Sequence, residues 1–252
     1  MLKIIVNEKG MRGNMRKTGI KLIAVVMLVC VLLGGNGSNV ALAYDQTDAV
    51  DYADTWWDSY NTSNYDKFNN DCTNYASQCL IAGGFSMKNF PNSNIKYSDL
   101  GTIKTTKTYF GAKKYTKKFA GIIKKTDYVT SSTFANVDQQ ADSDFYGLQD
   151  YLNIKKGKTL DVIVINKDNI KALVKIAKKG DIIQIAKRGK RCSHTYVVGS
   201  VKMDSAKNRK DIYVYAHSDA RGAGNDDCLL RMYEDGTFKD YFSMVLIEVK
   251  DR

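Results

Sequence analysis

The sequence predicts an α+β fold, with N-terminal helices, one of them opening on a cysteine, followed by a C-terminal antiparallel β-sheet. Segments of helical periodicity occupy 47–60 and 72–82, and short β-branched and aromatic runs crowd the last third of the chain. Helices grouped before strands give separate helical and sheet layers, not an alternating parallel fold.

The elements follow in order. In TDAVDYADTWWDSY (47–60), Ala49, Tyr52, Ala53, Trp56 and Tyr60 fall at i, i+3, i+4, i+7 and i+11, one face of a helix. Thr47 or Asp48 is placed to cap it. A second stripe, Tyr75, Ala76, Cys79 and Leu80, marks a helix over 72–82 that Gly83-Gly84 terminates. Between Thr102 and Thr126 there are eight lysines and no acid, interleaved with Tyr109, Phe110, Tyr115 and Phe119. The region of about 88–135 therefore reads as a lysine-rich surface excursion with some strand content.

Phe145, Leu148, Tyr151 and Leu152 suggest a helix at 138–152. TLDVIVIN (159–166) reads as a buried strand, and NIKALVKIAKKG (169–180) as an amphipathic helix ending at glycine. Further strands are predicted at 180–186, 193–201, 211–218, 228–233 and 244–249. No fixed-period repeat and no Pro/Ser-rich linker interrupts 44–252, which reads as one domain.

Residues 1–43 read as a secretory signal peptide. Six Lys/Arg precede or flank an apolar run from Leu22 to Leu33 that is too short to span a bilayer, and Ala41-Leu42-Ala43 forms an A-x-A cleavage site. An uncleaved anchor is the alternative; after cleavage no stable membrane insertion is expected. The localisation expected is secreted, extracellular or wall-associated. The whole chain carries a formal +11, and 1–43 hold six Lys/Arg and one Glu, so 44–252 keep +6. A basic secreted protein is drawn to anionic wall polymers. Nucleic acid is not an expected partner, because the excess is mostly lysine and no recognition motif is present.

Four cysteines remain after the leader: Cys72, Cys79, Cys192 and Cys228. On a helix over 72–82, Cys72 and Cys79 lie about 10 Å apart along the axis. A disulfide needs Cα atoms within about 7 Å, so these two cannot bridge. At least one free thiol is expected, and Cys192 either sits near the site or pairs with Cys228.

Chemistry centres on NNDCTNYASQCLIAGG (69–84), which starts a helix on a cysteine. Helix-terminal N–H groups favour a thiolate and can also hold an oxyanion, so Cys72 is a candidate nucleophile. The chain has two histidines, His194 and His217, on neighbouring predicted strands. A hairpin turning near Ser205-Ala206 would set them opposite one another. His194 is then the general base and His217 the group that orients it. Asp219 is the second candidate for that orienting role, and Asp71 either shapes the site or caps the helix. No CxxC, HxxH or HExxH spacing supports a metal, and no cofactor is called for.

AVDYADTWWDSYN…YDKFNNDCTNYASQCLIAGGFSM resembles the N-terminal block of the "putative amidase domain" family of secreted bacterial proteins, with its DCTNFVSQ-type motif. KKGDIIQI…CSHTYVVGS…IYVYAHSDAR is similar to the later histidine segments of that family, and TSSTFANVDQQADSDFYGLQDYL to its central piece. The family is similar to papain-like wall hydrolases such as CHAP and NlpC-like domains. The resemblance implies an amide-cleaving cysteine enzyme whose nucleophile matches Cys72, base His194 and third polar residue His217. Departures are Tyr75-Ala76 in place of Phe-Val, and the lysine-rich excursion.

Three functions follow as expectations. The first is a cysteine amidase or peptidase acting on peptidoglycan. The second is a catalytically idle wall-binding module, and the third an amidase or transferase on a non-wall amide.

Overall fold

The computed structural model describes residues 44–86, 101–103, 110–119, 123–135, 147–148, 152, 160–187, 192–218, 221–222, 227–238 and 241–250. The leader expected at 1–43 lies outside them, as does the helix expected at 138–152 apart from Gly147, Leu148 and Leu152. Both leucines are helical and fully buried. Among the described residues no helix is long and apolar enough to cross a membrane.

Two helices open the domain: α1 (Gln46–Trp56) and α2 (Cys72–Ala82). Asp45 caps α1, its carboxylate accepting the N–H groups of Thr47 and Asp48, so the cap lies just before the two residues the sequence suggested. Helix α2 starts and stops where its pattern predicts. Gly84 takes a positive φ of 92°, Phe85 N–H bonds the Leu80 carbonyl and Gly84 N–H bonds that of Ile81. That is a Schellman close, and it explains the second glycine. Tyr75 Oη donates to the Ala53 carbonyl at 2.7 Å and Tyr52 Oη to Gln78 Oε1 at 2.7 Å, clamping α1 on α2.

A small sheet follows, with β1 (Gly101–Ile103) parallel to β3 (Ile123–Ser131) and β3 antiparallel to β2 (Ala112–Phe119). The lysine-rich region thus includes a hairpin, and its last strand runs into the short α3 (Ser132–Ala135). Six strands build the main sheet: β4 (Leu160–Asn166), β5 (Ile182–Lys187), β6 (Cys192–Asp204), β7 (Arg209–Ala216), β8 (Arg221–Gly222) and β9 (Tyr241–Val249). Their spatial order is β4-β9-β5-β6-β7-β8, every pair antiparallel. Among the described residues β4, expected as a buried strand, therefore lies at an edge of the sheet.

Both faces of this sheet are covered. Ile182, Val197, Tyr215, Val245 and Ile247 face α1 and α2. Ile183, Ile185, Tyr196, Val198, Ile212, Val214 and Leu246 meet a second core on the other side. Burial on both faces is why β5 and β9 read as apolar runs without clean alternation.

Two predicted elements differ. The segment 169–180 is a 3-10 turn (Lys167–Ala172) and a single α turn, α4 (Leu173–Ile176). Ala177 turns extended, and the Asp181 carboxylate takes the Lys178 N–H at 2.7 Å, ending the helix early. The segment 228–233, predicted as a strand, is helix α5 (Leu229–Glu234). Asp211 explains it: its carboxylate accepts the N–H groups of Leu230 at 2.8 Å and Arg231 at 3.1 Å. A capping carboxylate from a distant strand cannot be read from local alternation.

Gly83 is the tightest joint between α2 and the chain before α1. A Cβ there would sit 2.5 Å from Tyr44 Cε2 and 2.8 Å from the Asp45 carbonyl oxygen. Gly83→Ala is expected to destabilise by about 1–3 kcal/mol through overpacking. Gly236→Ala, in open space at φ +86°, should cost only about 1 kcal/mol from backbone strain. Equal midpoints for the two variants in chemical denaturation would contradict this reading.

Candidate active site

The site forms where the start of α2 meets the ends of β6 and β7. Asp71 precedes the helix, and its side chain makes no N-terminal cap. Oδ1 instead accepts Phe68 N–H at 3.0 Å and Asn74 Nδ2 at 2.9 Å, while Oδ2 meets His217 Nδ1 at 2.6 Å. Of the two roles expected for Asp71, capping is not made. Its own N–H donates to Ser218 Oγ at 2.9 Å. Ser218 holds φ at 75°, a strained value for serine, and the bond to Asp71 helps fix the turn that follows His217.

His217 is buried, with its second nitrogen, Nε2, 2.6 Å from the Trp56 carbonyl at the end of α1. Its ring stacks on Tyr75, centroids 4.0 Å apart and planes 19° apart, and Tyr60 lies 4.8 Å away on a tilt. Lys67 Nζ sits 4.0 Å over the Tyr60 ring.

Cys72 is the first residue of α2 and is 4% exposed. Its sulfur lies 3.8 Å from Thr73 Oγ1. Thr73 Oγ1 also meets Thr195 Oγ1 at 3.0 Å, which docks the helix start on β6. Burial pushes the thiol up from its ordinary value, and the Asp71 charge adds to this. The hydrogen bonds from Thr195 and Thr73 oppose it without cancelling it.

The histidines do not face one another as the hairpin reading supposed. The turn spans 205–208, wider than a turn centred on Ser205-Ala206 allows, and a bulge between Val198 and Ser200 shifts the register back by one. Val197 pairs with Tyr215, so the same register carried two residues on sets Thr195, not His194, against His217. A one-residue offset moves a side chain to the other face. The His194 ring accordingly packs edge-on to Tyr196, centroids 4.5 Å apart, and Tyr196 belongs to the second core. His217 does not hold the His194 imidazole, since both its nitrogens engage Asp71 and Trp56.

Asp219 lies outside the described residues. Among the described residues Cys72, Cys79, Cys192 and Cys228 form no disulfide: Cys192 packs beside the first core, and Cys228 is buried. Asp204, Asp211 and Cys228 cluster closely enough to suggest a metal site. Arg231 already serves both carboxylates, ion-paired to Asp204 and donating its backbone N–H to Asp211, so the donor set does not fit a resident cation. Sequence reasoning missed Thr195, Ser218 and the Trp56 carbonyl. Two of these act through backbone atoms or register, which leave no mark in residue type.

A family model described as "putative amidase domain" matches residues 43–239, most of the chain. The chain belongs to this family. Membership points to amide hydrolysis, and the match holds Cys72, His194 and His217 while ending before β9. An uncharacterized protein of Bacillus subtilis (strain 168), YhbB, is 46% identical over 52 residues. That stretch is 21% of this chain and spans 16% of YhbB. No solved structure matches.

Because burial favours the protonated thiol, alkylation of Cys72 by iodoacetamide should be slow at pH 7. Its rate should still be climbing above pH 9, as read by peptide mass mapping of the folded protein. A rate that levels off below pH 8 would contradict the burial argument.

Proposed function

We propose that this member of the family is a secreted cysteine amidase or peptidase that cleaves amide bonds in peptidoglycan, with Cys72 as nucleophile. The carrying observation is the position of Cys72 at the first residue of α2, with its neighbour Asp71 bonded to His217. A papain-like arrangement, with a cysteine helix against an antiparallel sheet, is the fold reading that goes with it.

In the chemistry proposed, a base removes the thiol proton and the sulfur attacks the amide carbonyl carbon. N–H groups of the first turn of α2 face the oxyanion that forms. Collapse breaks the C–N bond, the amine leaves with the proton held by the base, and a thioester remains on Cys72. Water then hydrolyses the thioester and restores the thiol. A buried thiol raised above its ordinary value needs such a base, and His194 is assigned that role. The assignment rests on the family resemblance and on its place beside Thr195 in β6; its ring lies against Tyr196, on the face of the strand away from Thr195.

The wall as substrate rests on the leader-like N-terminus and on the net +6 of 44–252. Purified protein should release soluble, mass-identifiable fragments from defined peptidoglycan, and Cys72→Ala should release none. His194→Ala should lose about 10²–10⁴-fold in kcat, the usual contribution of a general base. Fragments from Cys72→Ala would refute the nucleophile assignment. Absence of fragments from both proteins, with folding verified, would move the substrate to a non-wall amide or the protein to a binding role. Wall association itself should weaken as salt rises from 0.05 to about 0.5 M, because screening shortens the reach of surface lysines.

A further inference from the structure

Both nitrogens of the His217 ring face acceptors. A carbonyl oxygen cannot donate, so Nε2 at 2.6 Å from the Trp56 carbonyl carries a proton. At Nδ1, 2.6 Å from Asp71 Oδ2, the shared proton resides on one partner or the other. In either arrangement His217 has no lone pair left to take a proton from Cys72.

We propose that Asp71 and His217 form a carboxylate–imidazolium pair, and that His217 is a fixed cation that positions the Cys72 helix and takes no part in proton transfer. The inference rests on the amidase reading for its relevance to catalysis and on hydrogen-bond geometry for its substance. Three further features of the pocket favour the ionic form. Asp71 Oδ1 already accepts two N–H donors, as suits a carboxylate. The Trp56 carbonyl closes α1, where the helix dipole favours a cation. The ring lies flat on Tyr75, whose π face attracts positive charge. One group opposes it: Lys67, exposed beyond the Tyr60 ring. The remaining close neighbours, Tyr75 and Tyr60, are uncharged phenols.

The consequence is a division of labour. His217 ties α1, α2 and the end of β7 together, and of the chain's two imidazoles only His194 remains for acid–base work.

The test is nitrogen-15 NMR of the labelled full chain at pH 7, with His194→Asn assigning the two rings. The expected result is that both His217 nitrogens show a directly bonded proton, and that Asp71→Asn reduces this to one. A His217 ring with one bare nitrogen in the unsubstituted protein would overturn the proposal. Should Asp71→Asn fail to fold, the unsubstituted protein still decides. No substrate enters the measurement, so this inference can fail while the amidase reading stands, and the reverse.

Discussion

The bond between Asp71 and His217 is the constraint on which the candidate site depends. It joins residues 146 positions apart, both almost fully buried, and it places the first turn of α2 over the ends of β6 and β7. Removing one partner of such a buried pair typically costs about 3–5 kcal/mol, because the other is left as an uncompensated polar group. Ser218 Oγ and the Trp56 carbonyl extend the same bond into the backbone on either side. Cys72 takes its place from this network, with Thr73 and Thr195 fixing the remaining direction.

Electrostatics at the thiol then sets the chemistry. The start of a helix ordinarily favours a thiolate, yet here desolvation outweighs the N–H donors and the nearby carboxylate works in the same sense. Burial therefore favours the protonated form of the Cys72 thiol. On the proposed mechanism, activation has to be coupled to the approach of substrate and base.

Much of this was legible in the sequence where the cause is local. Helix α2 and its glycine close follow from spacing and backbone freedom, and the strands of the second half follow from runs of β-branched residues. What stayed hidden depends on distant partners. Helix α5 owes its cap to Asp211, and α4 is cut short by Asp181. The histidine pairing failed by one residue because a wider turn and a single bulge reset the register, enough to set Thr195 in place of His194 against His217. Asp71 and His217 were both singled out, while their direct bond was not, since plain capping explains an aspartate before a helix equally well.

The central claim is that Cys72 carries the acyl group of the cleaved amide. Acid-quenching the protein during turnover of a defined wall peptide, then mapping the intact adduct by mass, tests it most directly. A thioester confined to the peptide containing Cys72 is the result expected. Sustained turnover with no adduct, or with the acyl group on another residue, would contradict it.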